Sequence, residues 1–241
     1  MSQYLNVAPP MPTQTPSSNQ IRHLMGIGPM NAGGPKNPVQ HESNAALLLI
    51  DVINDLDFEG SESMLPYALQ AADKIAALKS RAKRLDMPVI YVNDNFGHWR
   101  SDFREVADYC SLEGKPGRKL VERLRPEDDD YFVLKPRHSG FYDTPLGTLL
   151  RHLGVQRLIL TGFSGHICVL FTAADAYMRD FELFVPEDCT ASPAPDQNEI
   201  ALAYMKSALK VDATPSDRLD LKELKLADVS KDPAPPGIDS A

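Results

Sequence analysis

The fold is decided by residues 158–168, LILTGFSGHIC, which run directly into VLFTAADAY at residues 169–177. Residues 158–161 are short and apolar, as expected of a strand buried on both faces. From residue 169 onward, apolar residues recur at the spacing of one helix face. Cys168 thus lies between a strand and a helix, where unpaired N–H groups and the helix dipole are expected to lower its pKa. It is a candidate nucleophile, and the alternative is a buried cysteine that only packs.

The rest of the chain repeats this alternation of strands and helices. Strands are predicted at residues 45–51, 88–92, 131–135, 158–161, 183–186 and 211–213. Helices are predicted at residues 66–85, 118–124, 144–153, 169–177 and 196–209. Such alternation indicates βαβ units. The predicted fold class is therefore α/β, with three αβα layers around a mainly parallel, Rossmann-like sheet of about six strands.

Composition divides the chain into three parts. Residues 1–44 hold seven of the twenty prolines and show no sustained apolar period, which predicts a disordered or extended arm. Residues 45–214 form the predicted domain. Residues 215–241 are charged and then proline-rich, which predicts a peripheral helix and a tail. Within the domain, residues 101–117 are predicted to be a loop and the acidic run at 127–130 a solvated turn.

Charge and cysteine content exclude several classes of protein. The net charge of −8 argues against nucleic acid or an anionic membrane surface as a partner. No apolar run approaches the roughly 18 residues of a membrane span, and no secretory signal is visible. The three cysteines, Cys110, Cys168 and Cys189, are too few and too scattered for a disulfide scaffold or a zinc site. A cytoplasmic protein is expected.

Three residues with reactive side chains share one edge of the predicted sheet. Asp51, Lys135 and Cys168 each lie at or just past the carboxyl end of a strand, where parallel sheets bind their ligands. Asp51 can accept the thiol proton and return it to a leaving amine. Lys135 would hold the ion pair and lower the thiol pKa. Backbone N–H groups before Cys168 could stabilise an oxyanion, so the set suits acyl transfer to a thiol followed by hydrolysis.

Three segments carry a family resemblance as well. They are LLIDVIND at residues 48–55, KPRHSGFYDTPL at 135–146, and GFSGHIC at 162–168 with TAADA at 172–176. Together they resemble the isochorismatase-like cysteine hydrolases, the group that contains nicotinamidases and N-carbamoylsarcosine amidohydrolases. The resemblance covers about residues 45–214 and implies a catalytic triad of Asp51, Lys135 and Cys168. It also implies a cis peptide bond between Phe163 and Ser164, and an oxyanion hole formed by the amides of Ser164 and Cys168.

The chain departs from two branches of that family. Nicotinamidases carry an Asp-x-His metal motif with further histidines, whereas Asp94 is followed here by Asn95 and Phe96, with only His98 nearby. Because a bound divalent metal normally needs three or four ligands, no metal or other cofactor is predicted. Isochorismatases proper hydrolyse a vinyl ether and lack the cysteine. Cys168 therefore favours cleavage of a C–N bond in a small amide, ureide or carbamoyl compound.

For other residues the sequence indicates a functional role less strongly. Phe96, Trp99 and His166 are predicted to bind substrate, although the two aromatic rings could pack within their own loop and His166 could only fill its turn. Asn54 and Asp55 are expected to brace Asp51 and its loop. Relatives of this kind are usually homo-oligomers, so a homo-oligomer is expected. The alternatives left open are a vinyl-ether hydrolase, a redox-active thiol protein and a non-catalytic ligand-binding relative.

Overall fold

A computed structural model describes residues 41–58, 60–95 and 103–226 of the chain. Six strands lie within these ranges: β1 Ala45–Ile50, β2 Val89–Asp94, β3 Tyr131–Lys135, β4 Arg157–Phe163, β5 Glu182–Phe184 and β6 Thr190–Ala191. Most of the predicted arm and tail, residues 1–40 and 227–241, lies outside the description.

The strands form one parallel sheet in the order β3-β2-β1-β4-β5, with β6 also paired to β4. Ile50 lies opposite Val92 on one side and Gly162 on the other, and Asp94 lies opposite Lys135. This register brings the carboxyl ends of β1, β2, β3 and β4 to the same edge. The prediction of a mainly parallel, six-stranded α/β sheet is confirmed.

Helices cover both faces of the sheet. They are α1 Ser61–Arg84, α2 Phe103–Cys110, α3 Arg118–Arg123, α4 Leu146–His152, α5 Leu170–Tyr177, α6 Pro195–Ala208 and α7 Leu221–Leu226. Side chains of β1 alternate between two apolar cores, since Leu47 and Leu49 pack with α1, α2 and α3 while Leu48 and Ile50 pack with α4, α5 and α6. None of the described helices is long and apolar enough to cross a membrane.

Three elements differ from the sequence prediction. The segment predicted as a loop at 101–117 contains α2, because Phe103, Val106 and Cys110 form a short buried stripe on an otherwise polar helix. The predicted last strand is reduced to a single bridge between Asp212 and Phe184. The sixth strand is instead β6, which continues the pairing of β4 beyond β5.

The acidic run before β3 is not simply a solvated turn. Asp130 is the exception, because its side chain is only 1% exposed and lies 2.6 Å from Lys79 Nζ and 2.9 Å from Lys83 Nζ. Lys79 is itself buried, and its ammonium also donates to the hydroxyl of Tyr91. This buried ion pair joins α1 to the start of β3.

Candidate active site

The structure brings Asp51, Lys135 and Cys168 into direct contact. Lys135 Nζ lies 2.8 Å from Asp51 Oδ2 and 3.6 Å from Cys168 Sγ, so the ammonium bridges the carboxylate and the thiol. Lys135 is fully buried, and the thiol is also in hydrogen-bonding contact with Asp51. A third charged group, the carboxylate of Asp94, lies 3.6 Å from the same ammonium.

The end of β1 fixes the Asp51 carboxylate. The Asp51 backbone turns into the left-handed region at φ 51°, and its N–H donates to the carbonyl of Val92 on β2 at 2.9 Å. The N–H of Asp94 in turn donates to Asp51 Oδ1 at 2.7 Å. One carboxylate oxygen is thus held by the neighbouring strand, and the other faces Lys135.

The brace for the segment after Asp51 is Asn93, which the sequence analysis did not identify. Its fully buried carboxamide accepts from the N–H of Ile53 at 3.1 Å and donates to the Ile53 carbonyl at 2.7 Å. Of the predicted braces, Asn54 bonds only locally to Leu56, and Asp55 pairs with Lys115. Asn93 lies near the end of a buried strand, and a polar residue at such a position is the sequence signal that could have identified it.

Cys168, the candidate nucleophile, lies on an unusual helix start. The Phe163–Ser164 peptide bond is cis, and a π-helical turn at Gly165–Val169 then leads into α5. The Ser164 carbonyl accepts from the N–H groups of Ile167 and Val169, which ties Ser164 to the turn that carries Cys168. The assignment of the Ser164 and Cys168 amides as an oxyanion hole stays a prediction.

Glycine is required where β4 passes β1. Gly162 has φ +118°, and a Cβ there would lie 2.0 Å from the carbonyl oxygen of Ile50. Because that oxygen belongs to the backbone, a side chain would push β1 and β4 apart directly beneath Asp51 and the nucleophile turn.

The electrostatics of the thiol differ from the expectation. Burial raises the pKa of Cys168 to about 12, and the negative charge of Asp51 adds to this effect, while Lys135 opposes it without prevailing. The expectation of a lowered thiol pKa was therefore wrong. Burial also raises the pKa of Asp51 against the opposing charge of Lys135, which makes its carboxylate a better proton acceptor. Burial and Asp51 thus favour the neutral thiol of Cys168 over the thiolate in the resting site.

The loop after Lys135 is hydrogen-bonded to the helix after Cys168. The Ser139 hydroxyl donates to the Asp175 carboxylate on α5. The N–H of Gly140 donates to Thr172 Oγ1 at 3.0 Å, and the Thr172 hydroxyl donates to the Cys168 carbonyl at 2.7 Å. The lysine and the nucleophile are thereby held at a fixed separation.

Replacing Thr172 with valine is expected to lower turnover about tenfold with little change in KM. Valine keeps the shape but leaves the N–H of Gly140 buried and unpaired, at a cost of about 1–3 kcal/mol. Thr172→Ser retains the hydroxyl and should keep most of the activity. Steady-state kinetics of both variants test this, and equal turnover in the two would contradict it.

The roles of all three predicted substrate contacts, Phe96, Trp99 and His166, stay predictions. Phe96 and Trp99, together with His98, lie outside the described residues, so their roles stay predictions. His166 is partly exposed, and its ring lies 3.0 Å from the Ser192 hydroxyl. Burial lowers the pKa of His166. The described residues include no group of three His, Cys, Asp or Glu side chains that could hold a metal ion.

All three cysteines are unpaired. Cys110 and Cys189 are buried in the core, and burial raises the pKa of both thiols, whereas Cys168 is only partly buried. Cys168 is therefore the thiol that reagents in solution should reach first.

Comparison with known proteins yields consistent findings. The family model described as Isochorismatase domain matches residues 45–215. The uncharacterized isochorismatase family protein YaaI of Bacillus subtilis (strain 168) is 38% identical over 178 residues, which cover 74% of this chain and 97% of that protein. An isochorismatase of the same organism is 28% identical over 208 residues, or 84% of this chain and 67% of that protein.

A solved structure extends the likeness to three dimensions. The N-carbamoylsarcosine amidase of Thermoplasma acidophilum superimposes with a TM-score of 0.57 at 28% identity, covering 73% of this chain and 99% of that one. The residues matched by the family model include Asp51, Lys135 and Cys168. The chain belongs to the isochorismatase-like hydrolase family.

Proposed function

We propose that this chain is a metal-independent cysteine hydrolase that cleaves a C–N bond of a small amide, ureide or carbamoyl compound. The observation that carries the proposal is the bridging position of Lys135, 2.8 Å from Asp51 and 3.6 Å from Cys168. A thiol, a base and a cation in contact are the parts that thioester chemistry needs. The likeness to an N-carbamoylsarcosine amidase supports the same bond class.

In the first half-reaction, Cys168 Sγ attacks the substrate carbonyl carbon while its proton passes to Asp51. Because the thiol pKa is about 12, the proton has to leave during the attack rather than before it. The carbonyl electrons move to the oxygen, which the amides of Ser164 and Cys168 would stabilise. Asp51 then gives its proton to the leaving nitrogen as the C–N bond breaks.

The second half-reaction restores the enzyme. Water attacks the thioester carbonyl, and Asp51 accepts a proton from that water. The C–S bond breaks, the acid leaves, and the proton returns to Cys168. Lys135 is an ammonium in the resting site, since burial, which alone would lower its pKa, is outweighed by Asp51 together with Cys168 and Asp94, and its pKa lies above the ordinary value.

Release of ammonia from a panel of small amides, ureides and carbamoyl amino acids tests the proposal. We expect release that persists after treatment with a metal chelator and disappears in Cys168→Ala. Cys110→Ala, which alters a buried cysteine in the other apolar core, is the matched control and should remain active. Full activity of Cys168→Ala, or loss of activity with the chelator, would contradict the proposal.

A second candidate is vinyl-ether hydrolysis, which the 28% identity to an isochorismatase favours. That reaction breaks a C–O bond, releases no ammonia and needs no thiol. Release of pyruvate from isochorismate with undiminished activity in Cys168→Ala would support this candidate over the first.

A further inference from the structure

The turn that carries Cys168 is hydrogen-bonded to a distant part of the chain. The backbone N–H of His166 lies 3.2 Å from Ser192 Oγ, and its ring Nδ1 lies 3.0 Å from the same oxygen. Ser192 directly follows β6, and its hydroxyl is 3.1 Å from Asn198 Oδ1 on α6. Asn198 Nδ2 lies 3.2 Å from Thr190 Oγ1 and 3.5 Å from the Thr190 carbonyl oxygen.

The protons that Asn198, Ser192 and His166 share can be assigned by starting from the Thr190 carbonyl. The Thr190 carbonyl only accepts, so the NH₂ group of Asn198 faces it and Oδ1 faces Ser192. Since Oδ1 only accepts, the Ser192 hydroxyl donates to it. Both His166 groups must then donate to Ser192, which puts the ring proton of neutral His166 on Nδ1. Nε2 is left with a lone pair, so any ligand that reaches it has to donate.

Asn198 also packs directly against the nucleophile turn. A Cβ built on Gly165 would lie 2.0 Å from Asn198 Oδ1, 3.2 Å from Asn198 Cγ and 3.4 Å from Ser192 Oγ. These nearest atoms all belong to side chains. The Asn198 carboxamide therefore occupies the space that a side chain at residue 165 would need.

We propose that Asn198 is a positioning residue that sets the shape of the Gly165–Val169 turn, acting through Ser192 and through contact with Gly165. The inference rests on the proposed function, because it gives this turn the task of presenting Cys168 and its amide. Within the part of the chain that the structure describes, Asn198 forms its hydrogen bonds with Ser192 and Thr190 and none with Asp51, Lys135 or Cys168.

A shift of the turn should act on the transition state more than on substrate binding. The turn follows Ser164 and contains Cys168, whose amides are the proposed oxyanion donors. Loss of one such donor costs about 100- to 1,000-fold in kcat in enzymes of this mechanistic type. Changes at Asn198 should accordingly lower kcat and leave KM nearly unchanged.

Two single variants and their combination test the proposal. Gly165→Ala should lower kcat about 100-fold or more, since the new methyl group collides with Asn198. Asn198→Ala should lower kcat about tenfold, because Ser192 loses its anchor and the turn is then held less firmly in its position. The double variant should recover at least about tenfold over Gly165→Ala, since the colliding atoms are gone. Gln197→Ala, an exposed neighbour on α6, is the matched control and should match the wild type.

Alkylation of Cys168 by iodoacetamide supplies a readout that does not depend on turnover. Gly165→Ala should change the alkylation rate, and the double variant should restore it. If the wild type hydrolyses nothing in the substrate panel, the proposed function fails, and this alkylation pattern alone then decides the positioning role. Full kcat in Asn198→Ala, or no recovery of either readout in the double variant, would overturn the inference.

Discussion

Replacing Asp51 with asparagine is expected to abolish hydrolysis and, in the same protein, to make Cys168 easier to alkylate near neutral pH. The negative charge of Asp51 is one reason that the thiol pKa lies near 12. Asparagine removes this charge, while Lys135 remains to stabilise the thiolate, so the thiol pKa should fall. Each unit of that fall raises the thiolate fraction at pH 7 about tenfold.

Hydrolysis should nevertheless fall by about 100- to 10,000-fold, since a carboxamide cannot shuttle the proton. Turnover is measured by ammonia release, and alkylation by mass spectrometry across pH 6 to pH 10 on the same samples. In the wild type, the alkylation rate should still be rising at the upper end of that range. Slower alkylation in Asp51→Asn than in the wild type would show that the carboxylate promotes thiolate formation instead.

Two further variants test whether the loss of charge is the cause of this result. Lys135→Met removes a charge that lowers the thiol pKa, so it should slow alkylation. Asp57→Asn changes an exposed carboxylate on the loop after β1 and should leave both hydrolysis and alkylation unchanged. Opposite shifts for Asp51→Asn and Lys135→Met would identify charge, rather than general loosening of the site, as the cause.

The second large effect is expected on stability. Asp130→Ala should lower the free energy of unfolding by about 3–5 kcal/mol, because it removes the partner of a buried ammonium. Lys79 would be left with Glu127, whose side chain is mostly exposed. For a chain of this size the melting temperature should drop by about 6–20 °C.

Thermal unfolding followed by circular dichroism measures the difference. Asp128→Ala is the matched control, since this neighbouring carboxylate in the same acidic run is exposed and should change the melting temperature by less than about 2 °C. Similar melting temperatures for the two variants would mean that the Lys79–Asp130 pair contributes little.

The sheet and the three reactive residues were accessible to sequence reasoning for one physical reason. Strands buried on both faces are continuous apolar runs, and the residue that ends such a run is easily identified. Asp51, Lys135 and Cys168 each end or follow a run of this kind, and parallel strands bring their ends to one edge. Predicting that these residues share one edge required neither the order of the strands in the sheet nor any distance between atoms.

The features that sequence reasoning missed depend on burial and on opposing interactions, which only the three-dimensional structure reveals. Burial and Asp51 raise the thiol pKa and Lys135 lowers it, and counting charges along the sequence does not reveal the contribution of burial. Asp130 belongs to an acidic run of the kind that is usually solvated, yet α1 covers it. The three apolar residues of α2 are too few to stand out from the polar residues around them.

The left-handed backbone of Asp51 limits how this site can diverge in evolution. Aspartate, asparagine and glycine adopt positive φ more readily than other residues, whereas β-branched and bulky side chains resist it. Glutamate would preserve the carboxyl group but fit this backbone less well, and its longer chain would carry the base past the N–H of Asp94. The choice of residue at position 51 is consequently restricted by chain conformation as well as by the proton transfer that we propose for it. Relatives that lose the base should most often carry asparagine or glycine at this position.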